Sequence, residues 1–193
     1  SGECGREIPK EYLLFGNGAS ELFLAVVHAL KPRNIVIPVP SFYGYEYVAE
    51  AAGSHIKYVY LPEETGFRPG RELLQELTAD TDMLFVANPN NPTGIPVKKE
   101  EVKQLADTCE RLGAYLAVDE CFCDFLDNSE LYSVIPDLAR FTHLFVLKAF
   151  TKLYAMAGLR LGYGLCSDSG LLERLQAVRQ PWSVSGPAQC AGV

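Results

Sequence analysis

Several short segments of this sequence combine glycine, asparagine and charged residues in patterns that could do chemistry. The first is GNGASE, residues 16–21, in which small residues lead directly into a predicted helix. Free backbone N–H groups and the positive end of the helix dipole would then face an anion such as a phosphate. The spacing matches neither the phosphate-binding loop G-x-x-x-x-G-K-S/T nor the dinucleotide fingerprint G-x-G-x-x-G, which argues against both classes of nucleotide-binding protein. An ordinary capped turn is the alternative for this segment alone.

The second segment is NPNNPTG, residues 88–94, which holds two prolines in seven residues. Proline restricts its own backbone and that of the preceding residue, so the segment is expected to be extended and stiff. The asparagine side chains are then held at defined angles, and a rigid amide can recognise a ring oxygen. A structural turn is the alternative, but the string is rarer than a turn requires, which favours binding.

Charged residues follow two further predicted strands. Asp119 closes the apolar run YLAV, where a carboxylate needs a cationic or N–H partner. A protonated ring nitrogen would satisfy it, and so would a helix cap or a structural ion pair. Lys152 and Arg160 lie in KAFTKLYAMAGLR, where a lysine amine can form an imine and an arginine can bind a phosphate through two hydrogen bonds. Glu120 and Asp124, by contrast, are expected to be solvated.

The elements that must position these residues alternate along the chain. Short apolar strands between helical patterns predict an α/β fold with a mostly parallel sheet flanked by helices. The predicted strands are residues 35–37, 56–61, 83–87, 115–118, 144–147 and 161–166. The predicted helices are residues 21–30, 44–52, 71–77, 99–112 and 170–180, with Ser20 as the cap of the first. Ligands of open α/β sheets bind outside the carboxyl ends of the strands, which is where the polar segments lie.

Composition limits the classes of function. The chain has 193 residues, of which 48% are hydrophobic and 21% charged, and a formal net charge of −7. A globular domain with a real core is therefore expected, and the acidic balance disfavours nucleic acid and membrane surfaces as partners. No apolar stretch approaches the roughly 18 residues that span a bilayer, and a cytoplasmic protein is predicted. The six cysteines contain no C-x-x-C pair and the three histidines are scattered, so no metal site is predicted.

The segments taken together carry a family resemblance. GNGASE, PSFYGY, NPNNPTG, DECFCDF and TKLYAMAGLRLGY occur in the order and approximate spacing of fold-type I pyridoxal-phosphate enzymes. Over residues 12–187 the chain resembles the class I/II aminotransferase family, most of all its threonine-phosphate decarboxylases of cobalamin biosynthesis and next its histidinol-phosphate aminotransferases. Phe122, where most aminotransferases have tyrosine, and PWSV at residues 181–184 favour the decarboxylase group.

The resemblance implies pyridoxal 5'-phosphate as the cofactor and assigns a role to each matching residue. Lys152 would form the imine with the cofactor aldehyde and transfer protons at the reacting carbon. Asp119 would pair with the pyridine nitrogen and keep it protonated, which makes the ring an electron acceptor. Asn91 would contact the ring hydroxyl, and Phe42 would stack on the ring face. The residues that match the phosphate cradle are Gly18, Ala19, Ser20 and Arg160.

Three positions depart from the family pattern. Phe122 lacks the hydroxyl that tyrosine donates to the ring oxygen. Ala149 stands where many relatives place a serine or threonine on the phosphate, and Thr151 is the candidate to replace that contact. Ser185 follows PWSV where the decarboxylases usually have asparagine.

The resemblance also implies a domain organisation and an activity. Residues 1–193 would form the single cofactor-binding large domain, without the N-terminal arm and the C-terminal small domain of the family. The expected reaction is decarboxylation of L-threonine O-3-phosphate to aminopropanol phosphate. The alternatives are an aminotransferase of the histidinol-phosphate type and a fragment that binds the cofactor without turnover. A small phosphorylated amino acid is the expected partner, and family members are homodimers.

Overall fold

The strands of this protein form one mixed sheet of seven members in a computed structural model that describes residues 8–192. Cys4 lies outside the described residues. The strands are β1 Leu13–Asn17, β2 Asn34–Val39, β3 His55–Tyr60, β4 Met83–Ala87, β5 Tyr115–Asp119, β6 Leu144–Ala149 and β7 Leu161–Leu165. Their order across the sheet is β1-β7-β6-β5-β4-β2-β3, so β5 occupies the centre. Strands β2 to β6 pair in parallel, whereas β7 and β1 add an antiparallel edge.

Helices cover both faces of this sheet. They are α1 Gly18–Leu30, α2 Tyr43–Ala51, α3 Arg71–Gln75, α4 Lys99–Leu112, α5 Ser169–Val178 and α6 Gly186–Ala191. Short 3-10 turns connect them at Lys10–Tyr12, Glu63–Thr65, Cys123–Phe125, Ser129–Leu131 and Ile135–Arg140. Within the described residues, no helix is both long enough and apolar enough to cross a membrane.

The apolar core lies in two layers, one on each face of the sheet. Helices α1, α2 and α5 pack on one face, and α3 and α4 pack on the other. All five residues of strand β4, MLFVA, are buried, and none of them is polar. Met83 and Phe85 belong to the first layer, and Leu84 and Val86 to the second. This alternation is the reason that parallel strands with two covered faces are apolar throughout.

The predicted α/β fold with a mostly parallel sheet is confirmed, and each predicted strand and helix is present, β4 and α4 with the predicted ends and the others with shifted ends. Strand β1 was not predicted, because LLFGN pairs only with β7 at the sheet edge. Ser20 as the first helix cap is wrong, because α1 already begins at Gly18 and Ser20 lies inside its first turn. Helix α6 was also missed.

Close packing between β7 and α1 places the start of that helix directly on the sheet. A Cβ added to Gly162 would lie 2.6 Å from the backbone nitrogen of Ala19 and 2.7 Å from the carbonyl carbon of Gly18. Such distances do not occur, so only glycine at position 162 permits this approach. Gly162 therefore allows the GNGASE segment to lie close to the sheet, beside the carboxyl end of β6.

Candidate active site

One pocket gathers the residues that the sequence singled out. Its wall combines the first turn of α1 with the segments that follow β2, β4, β5 and β6. The lining residues are Ala19, Ser20, Phe23, Phe42, Asn91, Asp119, Cys121, Phe122, Ala149, Thr151, Lys152 and Arg160. Every predicted site residue except Gly18 is in this set, and Gly18 lies directly beside the guanidinium of Arg160. The pocket lies where the rule for open α/β sheets places a ligand.

One end of the pocket is built to receive an anion. Helix α1 presents the unpaired N–H groups of its first turn there, among them those of Ala19 and Ser20. Gly18 has a φ of +72°, and a Cβ at this position would lie 2.6 Å from Nη2 of Arg160. The backbone conformation favours glycine, and a side chain at this position would displace the guanidinium from where it lies. A helix N-terminus and a cation side by side leave a position that a phosphate group would neutralise.

At the other end, Asp119 is held by two donors. The hydroxyl of Tyr45 donates to Oδ2 over 2.8 Å, and the backbone N–H of Cys121 donates to Oδ1 over 3.0 Å. The sequence predicted that this carboxylate needs a cationic or N–H partner, and the N–H of Cys121 is one such group. The hydroxyl of Tyr45 was not predicted.

Tyr45 is a functional candidate that the sequence analysis missed. It is fully buried, and its ring stacks on Phe85 with 4.9 Å between the ring centroids. Burial, followed by the neighbouring charge of Asp119, raises its pKa well above the ordinary value, so the hydroxyl remains a donor. The signal was its position as the last residue of PSFYGY, the polar segment after β2.

The asparagines of NPNNPTG divide between structure and binding. Asn91 lines the pocket, as predicted. Asn88 is fully buried, accepts from the N–H of Val97 over 2.8 Å and donates to its carbonyl over 2.9 Å. Asn90 donates to the carbonyl of Pro40 over 3.0 Å, which ties this loop to the segment after β2. Asn88 and Asn90 therefore have structural roles, and binding stays a prediction for Asn91.

Of the two acidic residues predicted to be solvated, Glu120 is buried and Asp124 is exposed. Glu120 has no exposed surface, and its carboxylate accepts from the hydroxyl of Ser133 over 2.7 Å and from the N–H of Val134 over 2.8 Å. Asp124 contacts Nζ of Lys148 over 2.6 Å, and Lys148 is itself buried. The prediction that Glu120 is solvated is wrong, because Ser133 and Val134, in the chain that follows β5, return to it and supply its donors. Asp124 remains exposed to solvent beside its ion pair, as predicted.

Lys152 lies at the pocket mouth. Its side chain is exposed, and Nζ lies 5.0 Å from the centroid of the Phe122 ring, within the range of a cation–π contact. Thr151 and Ala149 line the same wall. The amine is thus accessible to a ligand and points over the aromatic ring that replaces the family's usual tyrosine.

Comparison with known proteins agrees with this geometry. Residues 5–193 match the family model described as aminotransferase class I and II. The chain belongs to the class I and II aminotransferase family. This confirms the family predicted from the five segments.

Curated relatives of this aminotransferase-family chain include two named enzymes. Threonine-phosphate decarboxylase of Salmonella typhimurium is 37% identical over 186 residues, which cover 96% of this chain and 50% of the relative. Histidinol-phosphate aminotransferase of Leuconostoc mesenteroides is 35% identical over 180 residues, which cover 92% of this chain and 50% of the relative. The chain therefore spans about half the length of the curated relatives it matches. Both names refer to phosphorylated compounds.

Solved structures show the same family fold. The crystal structure of histidinol-phosphate aminotransferase from Clostridium acetobutylicum superposes with a TM-score of 0.84 at 28% identity, covering 93% of this chain and 52% of that one. The crystal structure of L-threonine-O-3-phosphate decarboxylase from Porphyromonas gingivalis gives a TM-score of 0.78 at 23% identity. The second likeness shows the shared fold alone.

Proposed function

We propose that this chain is the cofactor-binding large domain of a pyridoxal-phosphate-dependent enzyme that decarboxylates L-threonine O-3-phosphate to aminopropanol phosphate, a step of cobalamin biosynthesis. The observation that supports it is the convergence of three unlike groups in one pocket. Arg160 and the start of α1 suit a phosphate, Asp119 suits a protonated ring nitrogen, and Lys152 offers an amine.

The donor set fits pyridoxal phosphate in both charge and shape. The missing Cβ at Gly18 leaves room for the guanidinium of Arg160 beside the positive end of the helix dipole. Phe42 and Cys121 also line the pocket, and a flat and a small side chain are suited to pack on an aromatic ring. Asn91 offers an amide for the ring oxygen. When bound, the cofactor supplies an electron-accepting ring for the substrate carbanion.

The chain's own residues would then perform separate tasks. Asp119, ordered by its two donors, holds the proton on the ring nitrogen. Lys152 presents its amine to the cofactor aldehyde and afterwards holds or delivers a proton at the substrate carbon. Phe122 cannot donate to the ring oxygen, so Asn91 carries that hydrogen bond.

The substrate assignment rests on a balance between two relatives. The 37% identity to a threonine-phosphate decarboxylase, together with Phe122 and PWSV, favours decarboxylation. The 35% identity to a histidinol-phosphate aminotransferase supports transamination as the second candidate. Binding of the cofactor without turnover is the third, because this chain spans about half of either relative.

The cofactor site is tested by labelling. Pyridoxal phosphate is added to the purified chain, the visible spectrum is recorded, and borohydride reduction is followed by mapping of the modified peptide by mass spectrometry. We expect a single label on Lys152 that is lost in Lys152→Ala and retained in Lys99→Ala, a lysine of α4. A colourless chain, or label scattered over several lysines, would contradict the assignment.

Product analysis separates the three activities. With L-threonine O-3-phosphate, release of CO2 and aminopropanol phosphate supports the decarboxylase. Accumulation of pyridoxamine phosphate with histidinol phosphate supports the aminotransferase instead. A chain whose bound-cofactor spectrum responds to neither compound binds without turnover.

A further inference from the structure

The hydroxyl of Tyr45 lies behind Asp119 and outside the set of residues that line the pocket. We propose that Tyr45 is a positioning residue, which fixes the carboxylate of Asp119 in the one orientation that accepts a ring N–H from the ligand. This inference rests on the proposed cofactor site and adds to it a residue that never touches the ligand.

The position of the Tyr45 hydroxyl is set by its ring. Phe85 stacks on that ring with an interplanar angle of 4°, and Phe23 meets it edge-on with 5.2 Å between the centroids. Phe42 meets it edge-on as well, at 5.5 Å. Aromatic packing on several sides of a fully buried ring leaves the phenol oxygen little freedom to move.

Two donors from different parts of the chain restrain the two oxygens of Asp119. Asp119 ends strand β5, so its backbone is fixed and only its side chain can rotate. The N–H of Cys121, two residues further on, binds Oδ1. The Tyr45 hydroxyl comes from α2, 74 residues earlier in the chain, and it binds Oδ2. The second donor therefore restrains the rotation that a single hydrogen bond would leave to the carboxylate, and the remaining lone pairs have fixed directions.

The same ring also links two walls of the pocket. Tyr45 packs against Phe42, the residue predicted to stack on the cofactor ring, while its hydroxyl holds the predicted partner of the ring nitrogen. Removing only the hydroxyl, as in Tyr45→Phe, keeps the packing and deletes the hydrogen bond. This separates the positioning role from a role in the core.

The test compares two ligands on two variants. We expect Tyr45→Phe to weaken pyridoxal phosphate binding about tenfold, the effect of losing one hydrogen bond to a charged group. Binding of 1-deazapyridoxal phosphate, whose ring has C–H in place of the pyridine nitrogen, should change less than about twofold, since it has no N–H to present. The control Tyr47→Phe removes a hydroxyl from an exposed tyrosine on the same helix and should change neither affinity.

Other outcomes overturn the inference. Equal losses for both ligands would mean that Tyr45 merely supports the packing of the pocket, and no loss for either would mean that it has no role. In an Asp119→Asn background, Tyr45→Phe should cost nothing further. An additive loss there contradicts an action through Asp119.

A measurement on the ligand-free chain separates this inference from the cofactor proposal. The ¹³C carboxylate resonance of Asp119, assigned with Asp119→Asn, should move in Tyr45→Phe and stay in place in Tyr47→Phe. If the wild type binds no pyridoxal phosphate, the proposed function is wrong, whereas a stationary resonance overturns the role of Tyr45. Should Tyr45→Phe fail to fold by circular dichroism, Tyr45→3-fluorotyrosine keeps the hydroxyl as a stronger donor and should shift the same resonance, and an unmoved resonance again overturns it.

Discussion

The two ends of the pocket are made from different parts of the chain. The anion end consists of backbone N–H groups and one exposed cation, Arg160, and its shape depends on a side chain that Gly18 does not have. The ring end consists of side chains in two layers, with Asp119 in front and Tyr45 behind it. A site built on backbone geometry fails abruptly when its space is filled, whereas a site built on hydrogen-bonded side chains loses affinity in steps.

The most severe change should therefore come at the anion end. In Gly18→Ala, the methyl group meets the Arg160 guanidinium and the backbone is strained at a φ of +72°. We expect pyridoxal phosphate affinity to fall about a hundredfold, measured by absorbance titration. The control is Gly113→Ala at the end of α4, where φ is +71° and no atom lies within 4 Å of the added Cβ. It should lower stability through strain alone, and equal losses of affinity in both variants would contradict the role of the space beside Arg160.

Charge at the same end can be removed without changing the backbone. Arg160→Gln should weaken pyridoxal phosphate binding about thirtyfold, because a charge-assisted contact to the phosphate is lost. Inorganic phosphate should also cease to compete for the site. Arg140→Gln, an exposed arginine paired with Asp107, is the control and should leave the affinity unchanged. An unaltered affinity in Arg160→Gln would place the phosphate elsewhere.

At the ring end the expected effects are smaller and separable. Asn91→Ala removes one neutral amide from the pocket wall and should cost about fivefold in affinity with little loss of stability. Asn88→Ala, in the same loop, deletes buried hydrogen bonds to Val97 and should lower the free energy of unfolding by about 2 kcal/mol. Urea unfolding and ligand titration of both variants measure the two effects. A loss of affinity without loss of stability in Asn88→Ala would reverse the division of labour inferred for this loop.

The smallest expected effect is on the pH dependence of the free energy of unfolding, through Glu110, which lies away from the pocket. Burial acts to raise the pKa of Glu110, but hydrogen bonds from the backbone and ring of His143 outweigh it and the net pKa is lowered. The stabilisation is present above the unfolded-state pKa, near 4.3, and is lost as pH falls through the lower folded-state value. Glu110→Gln should destabilise the chain by under about 1 kcal/mol at pH 7, and the difference should shrink below about pH 4. Urea unfolding at several pH values checks this, and a difference that grows in acid would refute it.

The sequence predicted the elements whose pattern is local. Strands β2, β4, β5 and β6 are largely apolar runs between turn residues, and a run covered on both faces is visible in the sequence alone. Strand β1 was not visible, because LLFGN is short and its partner β7 lies nearly 150 residues later. The start of α1 was placed three residues late, since Ser20 looked like a cap while the close approach to Gly162 was unknown.

In the candidate site too, residues in local motifs were predicted, whereas contacts between residues distant in sequence were not. Most of its lining residues occur in compact motifs, and the family resemblance of those motifs predicted them, whereas Phe23 and Cys121 were not predicted. Tyr45 was missed because an aromatic residue at the start of a helix is typical of a core, and its hydroxyl finds Asp119 only through the fold. Glu120 was misplaced because nothing local shows that Ser133 and Val134 return to it.

The length of strand β5 sets the positions of two neighbouring carboxylates. Asp119 ends the strand in the pocket and Glu120 is bound by the chain that follows, so adjacent residues serve opposite sides of the sheet end. Loss or gain of one residue within β5 would shift each acid by one place, presenting the wrong carboxylate to the pocket while burying another without its donors. Substitutions inside this strand change a packing contact, but an insertion or deletion there would exchange a binding group for a structural one. The length of this strand therefore constrains the site more strictly than the identity of its apolar residues does.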